Sequence, residues 1–194
     1  MPQQKLCNKG ITVEFLSARP DIVGSSTQRS LLSYWRRTRG QNLLPIWKGL
    51  EDTPELLTLA DNLAYAEMVG TEESHRLLLV MQGARLMEAH GGYMVGKFID
   101  EILRPPYREQ SLATCRQALI SKLPVYTLLD LRDLNQRIVH FERLLLPFSQ
   151  DGSQVHGLMV SIEISSPEGP FEHQDLMNEP VKTPSIALCA TIIN

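Results

Sequence analysis

Along the 194 residues the rhythm of apolar positions changes several times, and each change marks a predicted element. Residues 27–39 place Leu31, Leu32 and Trp35 at helical spacing, with Arg29, Arg36, Arg37 and Arg39 on the remaining positions. Apolar side chains recurring every three or four residues form one stripe of an amphipathic helix. Ser25-x-x-Gln28 supplies a capping box at its start, and Gly40 a terminating glycine at its end. Cations gathered toward the C-terminus suit the helix dipole. Residues 1–24 hold one short apolar run, 11–16, and read as an N-terminal arm. Residues 41–62, marked by Pro45, Gly49 and Pro54, read as an irregular connection with a single turn near Pro54.

From residue 62 the period shortens. Residues 62–69 and 75–81 are short apolar runs around Gly70-Thr71-Glu72-Glu73, and together predict a hairpin. Residues 84–104 read as short helical turns broken by Gly91, Gly92 and Gly96 and closed by Arg104-Pro105-Pro106. Residues 106–121 predict a longer helix, with Pro106 just inside its start and Leu112, Cys115 and Leu119 at spacings of three and four. Three strands are predicted over 124–131, 137–147 and 155–164, the last two joined by Gln150-Asp151-Gly152-Ser153. This order is α+β with an antiparallel sheet, since no βαβ alternation runs through it. Residues 165–194 read as a C-terminal tail, rich in proline up to Pro184. Its apolar end, 185–193, suits an edge strand or a docking segment. The expected organisation is an arm over 1–24, one domain over 25–164 and a tail over 165–194.

Composition narrows the role. With 19 Lys+Arg against 22 Asp+Glu the chain carries a net charge of -3, too little positive charge for duplex nucleic acid to be the expected partner. The arginines of the first helix lack the interleaved aromatics of a single-strand binder and read as a solvated face. Cys7, Cys115 and Cys189 are far apart and form no CxxC pair, so zinc and thioredoxin-like chemistry have no motif, and a reducing cytoplasm is the expected compartment. No signal-peptide pattern opens the chain, and no apolar run approaches the roughly 20 residues of a bilayer span.

Taken in order, several segments resemble a family of small, stand-alone PAS-fold proteins found mostly in alphaproteobacteria. They are Leu32-Ser33-Tyr34-Trp35 with Arg39-Gly40, Leu79-Val80-Met81-Gln82-Gly83-Ala84-Arg85-Leu86, Val95-Gly96-Lys97-Phe98-Ile99-Asp100, and Phe141-Glu142-Arg143-Leu144-Leu145-Leu146-Pro147 followed by Asp151-Gly152. The resemblance covers about residues 31–164. It implies a PAS-like five-stranded antiparallel sheet in the order 2-1-5-4-3 with helices on one face, and a sensory or protein-interaction role without catalytic residues.

Cofactor motifs are weak. Gly91 to Phe98 nearly spells a P-loop, but Phe98 stands where a hydroxyl would hold magnesium, so a glycine turn is the plainer reading. Haem in this fold usually takes a histidine from the long helix, and residues 106–121 hold none. Flavin photoreceptors of the fold use an asparagine-cysteine-arginine-phenylalanine run, which is absent here. Neither haem nor flavin is expected. His75, His90, His140, His156 and His173 are too dispersed for a local metal motif. Cys115 reads as a buried inert thiol.

Glu142 and Arg143 are neighbours in a predicted strand, so one of them must face the covered side of the sheet. A buried charge there needs a partner. A cross-strand pair with Asp130 or Glu163 is the structural expectation, and a polar anchor at a pocket edge the functional one, with Arg85 as a second anchor. Apolar walls are expected from Met81, Leu86, Phe98, Ile102, Leu119, Tyr126, Phe141 and Met159, with Cys115 nearby; the same residues equally suit plain core. The resulting expectation is a cytoplasmic, non-catalytic PAS-like sensory or adaptor module. It would homodimerise through the 27–39 helix and the exposed sheet face, contact a signalling protein, and hold a small-molecule ligand in its pocket. A metabolite-binding protein is the alternative. An enzyme using Cys115 and His140 is the remaining class.

Overall fold

The computed structural model describes residues 13–71, 74–103, 105, 107–133, 135–171 and 185–193. Cys7, Glu72, Glu73, Pro106 and His173, all singled out in the sequence, lie outside the described residues, as do Pro180 and Pro184. The strands are β1 (Leu16–Ala18), β2 (Leu63–Thr71), β3 (Ser74–Gln82), β4 (Val125–Arg132), β5 (Ile138–Phe148), β6 (Gly157–Ser165) and β7 (Ser185–Ile192). The helices are α1 (Ser26–Arg39), α2 (Pro54–Leu57), α3 (Ala84–Ala89), α4 (Ile99–Ile102) and α5 (Tyr107–Ser121), and two 3-10 turns lie at Pro20–Ile22 and Ala60–Asn62.

All seven strands join in one sheet, in the order β1-β7-β4-β5-β6-β2-β3. Five strands were expected, and five of the seven, β4-β5-β6-β2-β3, have the implied neighbours. One addition comes from the N-terminal arm, and the other from 185–193, which forms the strand offered as one of its alternatives, one place in from the edge. β7 pairs antiparallel with β4, from Val125↔Thr191 to Asp130↔Ser185, and β1 runs parallel to β7. The end of the chain thus lies inside the sheet, with β1 as the outer strand. Cys189, Ala190, Thr191 and Ile192 are all buried, because both faces of β7 are covered in its second half, while Ile186 and Ala187 near its start are exposed. A strand covered on both faces loses the alternation by which strands are read, and its partner lies some sixty residues earlier in the chain. Unpaired, β4 would present a bare edge of N–H and C=O groups.

α1 forms where its stripe predicts. Ser25 Oγ accepts from Gln28 N at 3.3 Å, completing half of the capping box. The other half is missing, because Gln28 turns inward and its Nε2 donates to the carbonyls of Glu142 and Ser161 at 3.3 and 3.2 Å. Leu31, Leu32 and Trp35 are buried, and Trp35 Nε1 donates to Pro147 O at 2.7 Å. The arginines stay at the surface: Arg37 pairs with Glu55 at 2.7 Å, and Arg36 donates to Ile193 O at 3.3 Å. The apolar stripe of α1 thus packs on the sheet of its own chain.

Two turns show why their residues are where they are. Gly70 in the β2–β3 hairpin has φ 119°, and a Cβ there would lie 2.2 Å from Ser74 O. Between β5 and β6, Asp151 Oδ1 accepts from Ser153 N and Gln154 N at 2.8 and 3.0 Å. Those N–H groups favour the carboxylate and hold its pKa down to about 2.

Candidate functional site

Side chains alternate across a strand, so β5 sorts its residues onto two covered faces. Glu142 faces α1: its Oε2 accepts from Ser25 N at 3.1 Å and from the Tyr126 hydroxyl at 2.7 Å. Burial, and then this bond to Glu142, push the Tyr126 phenol well above its usual range. Arg143 faces α5, where its Nη1 and Nη2 donate to Ser111 Oγ at 2.9 Å and Thr114 Oγ1 at 3.1 Å. The cross-strand pairing expected for these charges does not occur. Asp130 instead meets His140 Nδ1 at 2.8 Å, and Glu163 accepts from Asn62 at 3.1 Å.

On the Arg143 face, the sheet and α3–α5 enclose an apolar cavity of about 80 Å³. β2 lines it with the small side chains Ala64 and Ala66, β3 with Leu77 and Leu79, and β6 with Leu158, Val160 and Ile162. Ser111 and Cys115 reach it from α5, and Ile99 and Ile102 from α4. Gln82, in the lining, holds the following glycine turn: its Oε1 accepts from Met94 N at 2.8 Å and its Nε2 donates to Gly92 O at 3.3 Å. The near-P-loop is this turn, part of a lid over residues 84–102 from which Leu86, His90, Met94, Ile99 and Ile102 line the cavity. Gly91 and Gly96 take φ of 69° and 87°, and Gly96 N and Lys97 O bond to the backbone of Leu79.

Electrostatically the cavity is unusual. Arg143 is 7% exposed, and no carboxylate pairs with it among the described residues. Its Nε is buried with no hydrogen-bond partner. Burial lowers its pKa, opposed weakly by Cys115 and Cys189. His90 also lines the cavity. Burial pushes its pKa below the usual imidazole value, and Nδ1 lies 2.8 Å from Leu86 O, which can only accept, so that nitrogen carries the proton. Burial likewise raises the Cys115 thiol, against the weaker opposing pull of Arg143 and Arg116. A raised pKa keeps a thiol protonated and unreactive.

The structure brings Leu86, Ile102, Cys115, Phe141 and Arg143 to the cavity wall. The other expected residues lie elsewhere. Tyr126 and Met159 sit one residue out of phase, on the α1 face, and Met81 and Leu119 pack against the main core. Phe98 lies under the guanidinium of Arg76, 3.7 Å from its ring centre, and Arg85 is exposed on α3. His140 shares the Glu142 side of β5, opposite Cys115, so the sheet separates the two residues offered as an enzyme pair. The alternation of Ala64 and Ala66 was the signal for the missed wall; small residues at two successive inward positions leave space. Among the described residues no group of His, Cys, Asp and Glu is placed to hold a metal, and no helix is long and apolar enough to cross a membrane.

In comparison with known families, residues 23–160 fit the profile of a family described as PAS domain. No curated protein matches the chain.

Proposed function

Because the chain belongs to the PAS domain family, we propose that it is a non-catalytic sensory module whose cavity takes a small molecule and whose surface passes that state to another protein. The cavity carries this reading: an apolar chamber between sheet and helices, with one buried cation in its wall and a short tied-down lid at its mouth. Apolar pockets with a few convergent polar groups are the usual form of a ligand site. The lid links inside to outside. Within residues 84–102, Leu86 and Ile102 face the cavity while Met87 and Tyr93 are exposed. A ligand shifts such a segment only by binding its two arrangements with different affinity.

The role as an adaptor of the proteobacterial kind, in the cytoplasm, is part of the same proposal, as is self-association. Recording the absorption spectrum and non-denaturing mass of natively purified protein tests the proposal. A mass excess that disappears on denaturation, without a visible absorption band, is the expected result. A bare mass from every preparation, with no stabilisation by any small molecule, would overturn it. Metabolite binding as an end in itself is the second reading, favoured by the same enclosed cavity. Occupancy that leaves hydrogen exchange of the 84–102 lid unchanged selects it.

A further inference from the structure

The guanidinium of Arg143 has five N–H donors. Two of them meet hydroxyl oxygens, on Ser111 and Thr114. The Nε–H is buried without an acceptor, and no carboxylate neutralises the charge among the described residues. A buried cation left this way is costly, and an arginine cannot escape by losing its proton. Its register neighbour Thr127 is fully buried, and Thr127 Oγ1 is also without a partner. Ser111 Oγ accepts from Arg143, which leaves its own proton to donate. Arg143 and Ser111, donors of different kinds bonded to each other, thus share the lining of a chamber whose other walls are mainly apolar, with Gln82 and His90 the other polar side chains there.

Resting on the sensory-cavity reading above, we propose that the ligand is a small monocarboxylate with an unbranched or branched aliphatic tail. Its carboxylate sits on Arg143 and Ser111, and its tail lies against Ala64, Leu79, Val160 and Ile162. A planar guanidinium matches a carboxylate in both charge and geometry. The single cation sets the charge at minus one, since a dianion such as phosphate would carry an unbalanced charge into an apolar wall. The volume sets the length. A cavity takes about one water-sized atom per 10–15 Å³, so 80 Å³ admits on the order of five to eight non-hydrogen atoms. With two of those atoms taken by the carboxylate oxygens, that corresponds to acids of about three to six carbons.

Thermal shift and calorimetric titration of the full chain with butyrate, hexanoate, dodecanoate, hexanamide and chloride test the assignment. Hexanoate or butyrate is expected to bind saturably and raise the melting temperature, with hexanamide and dodecanoate at least tenfold weaker and chloride without effect. Arg143→Met is expected to stay folded and lose carboxylate binding. Ser111→Ala, which leaves the cation in place, is expected to weaken it several-fold. Equal binding of hexanoate and hexanamide, unchanged in Ser111→Ala, overturns the carboxylate assignment while leaving the sensory cavity standing with a neutral ligand. Chloride matching hexanoate assigns the site to inorganic anions and likewise overturns it. Protein that binds none of the five and purifies with a bare native mass overturns both readings.

Discussion

Glu142 and Arg143 are adjacent in β5 and serve opposite sides of the sheet. Glu142 ties the start of α1 to the sheet through Ser25 and Tyr126, and Arg143 lies under α5 on Ser111 and Thr114. Opposite charges next to each other in sequence neutralise nothing here, because the strand turns them about 180° apart. The carboxylate has become a helix anchor, and the guanidinium the one charged element of the cavity wall.

Removing the anchor should loosen α1. Glu142→Ala strands the Ser25 N–H and the Tyr126 hydroxyl, and is expected to cost about 2–4 kcal/mol: two bonds to a charged group at about 1.5–3 kcal/mol each, less what water restores at this half-buried position. Both bonds fall on Oε2, so Glu142→Gln with its amide oxygen in that position keeps the acceptor and is expected to cost about 1 kcal/mol. Urea denaturation followed by tryptophan fluorescence measures both. Equal stability of Glu142→Ala and the parent would show that α1 is held by its apolar stripe alone.

The last strand should be integral to the fold. A chain ending at residue 184 loses the partner of β4 and the buried Cys189, Ala190 and Ile192. It is expected to aggregate or to melt far below the parent, because the edge of β4 is exposed. Ile192→Ala, a gentler probe of the same packing, is expected to cost about 2–4 kcal/mol. A truncated chain with the parent's melting temperature and circular dichroism would contradict the seven-stranded sheet.

Acid should weaken the fold through His90. Burial lowers its pKa, so it is neutral when folded, whereas the unfolded chain protonates it near pH 6.5. The stability this neutral state contributes is present above pH 6.5 and is lost as pH falls from there toward the folded value. The limiting slope is about 1.4 kcal/mol per pH unit. His90→Gln, which keeps a donor for Leu86 O, is expected to flatten stability between pH 7.5 and 5. The same slope in parent and variant would assign the acid sensitivity elsewhere.

Gly83 joins β3 to α3 where there is no room for a side chain. A Cβ there would lie 2.1 Å from Ala60 O and 2.5 Å from Asp61 O, both backbone atoms that cannot rotate away. Gly83→Ala is expected to cost about 2 kcal/mol or more and to displace the lid that begins at Ala84. Calorimetric melting gives the cost, and hydrogen exchange of residues 84–102 the displacement. An unperturbed melt would mean that the 60–62 turn yields freely.

Much of this molecule was legible as local pattern. The α1 stripe with its Ser25 cap, the β2–β3 hairpin, the long α5 and strands β4 to β6 announce themselves by period and turn chemistry, which depend on residues only a few positions apart. The near-P-loop was legible as a glycine turn for the same reason. Five of the eleven expected site residues, Leu86, Ile102, Cys115, Phe141 and Arg143, reached the cavity. Tyr126 and Met159 did not, because alternation says that neighbours oppose each other but not which face will enclose a space. The two further strands were legible to different degrees: 185–193 suited an edge strand but its place beside β4 was not readable, and β1 is only three residues long. Sequence alone therefore determined the elements that have a clear local period. Tertiary structure decided that α1 covers its own sheet, that β7 extends it, and that Arg143 is buried at a cavity wall with no carboxylate paired to it among the described residues, because facing, pairing and burial depend on contacts between segments far apart in the chain.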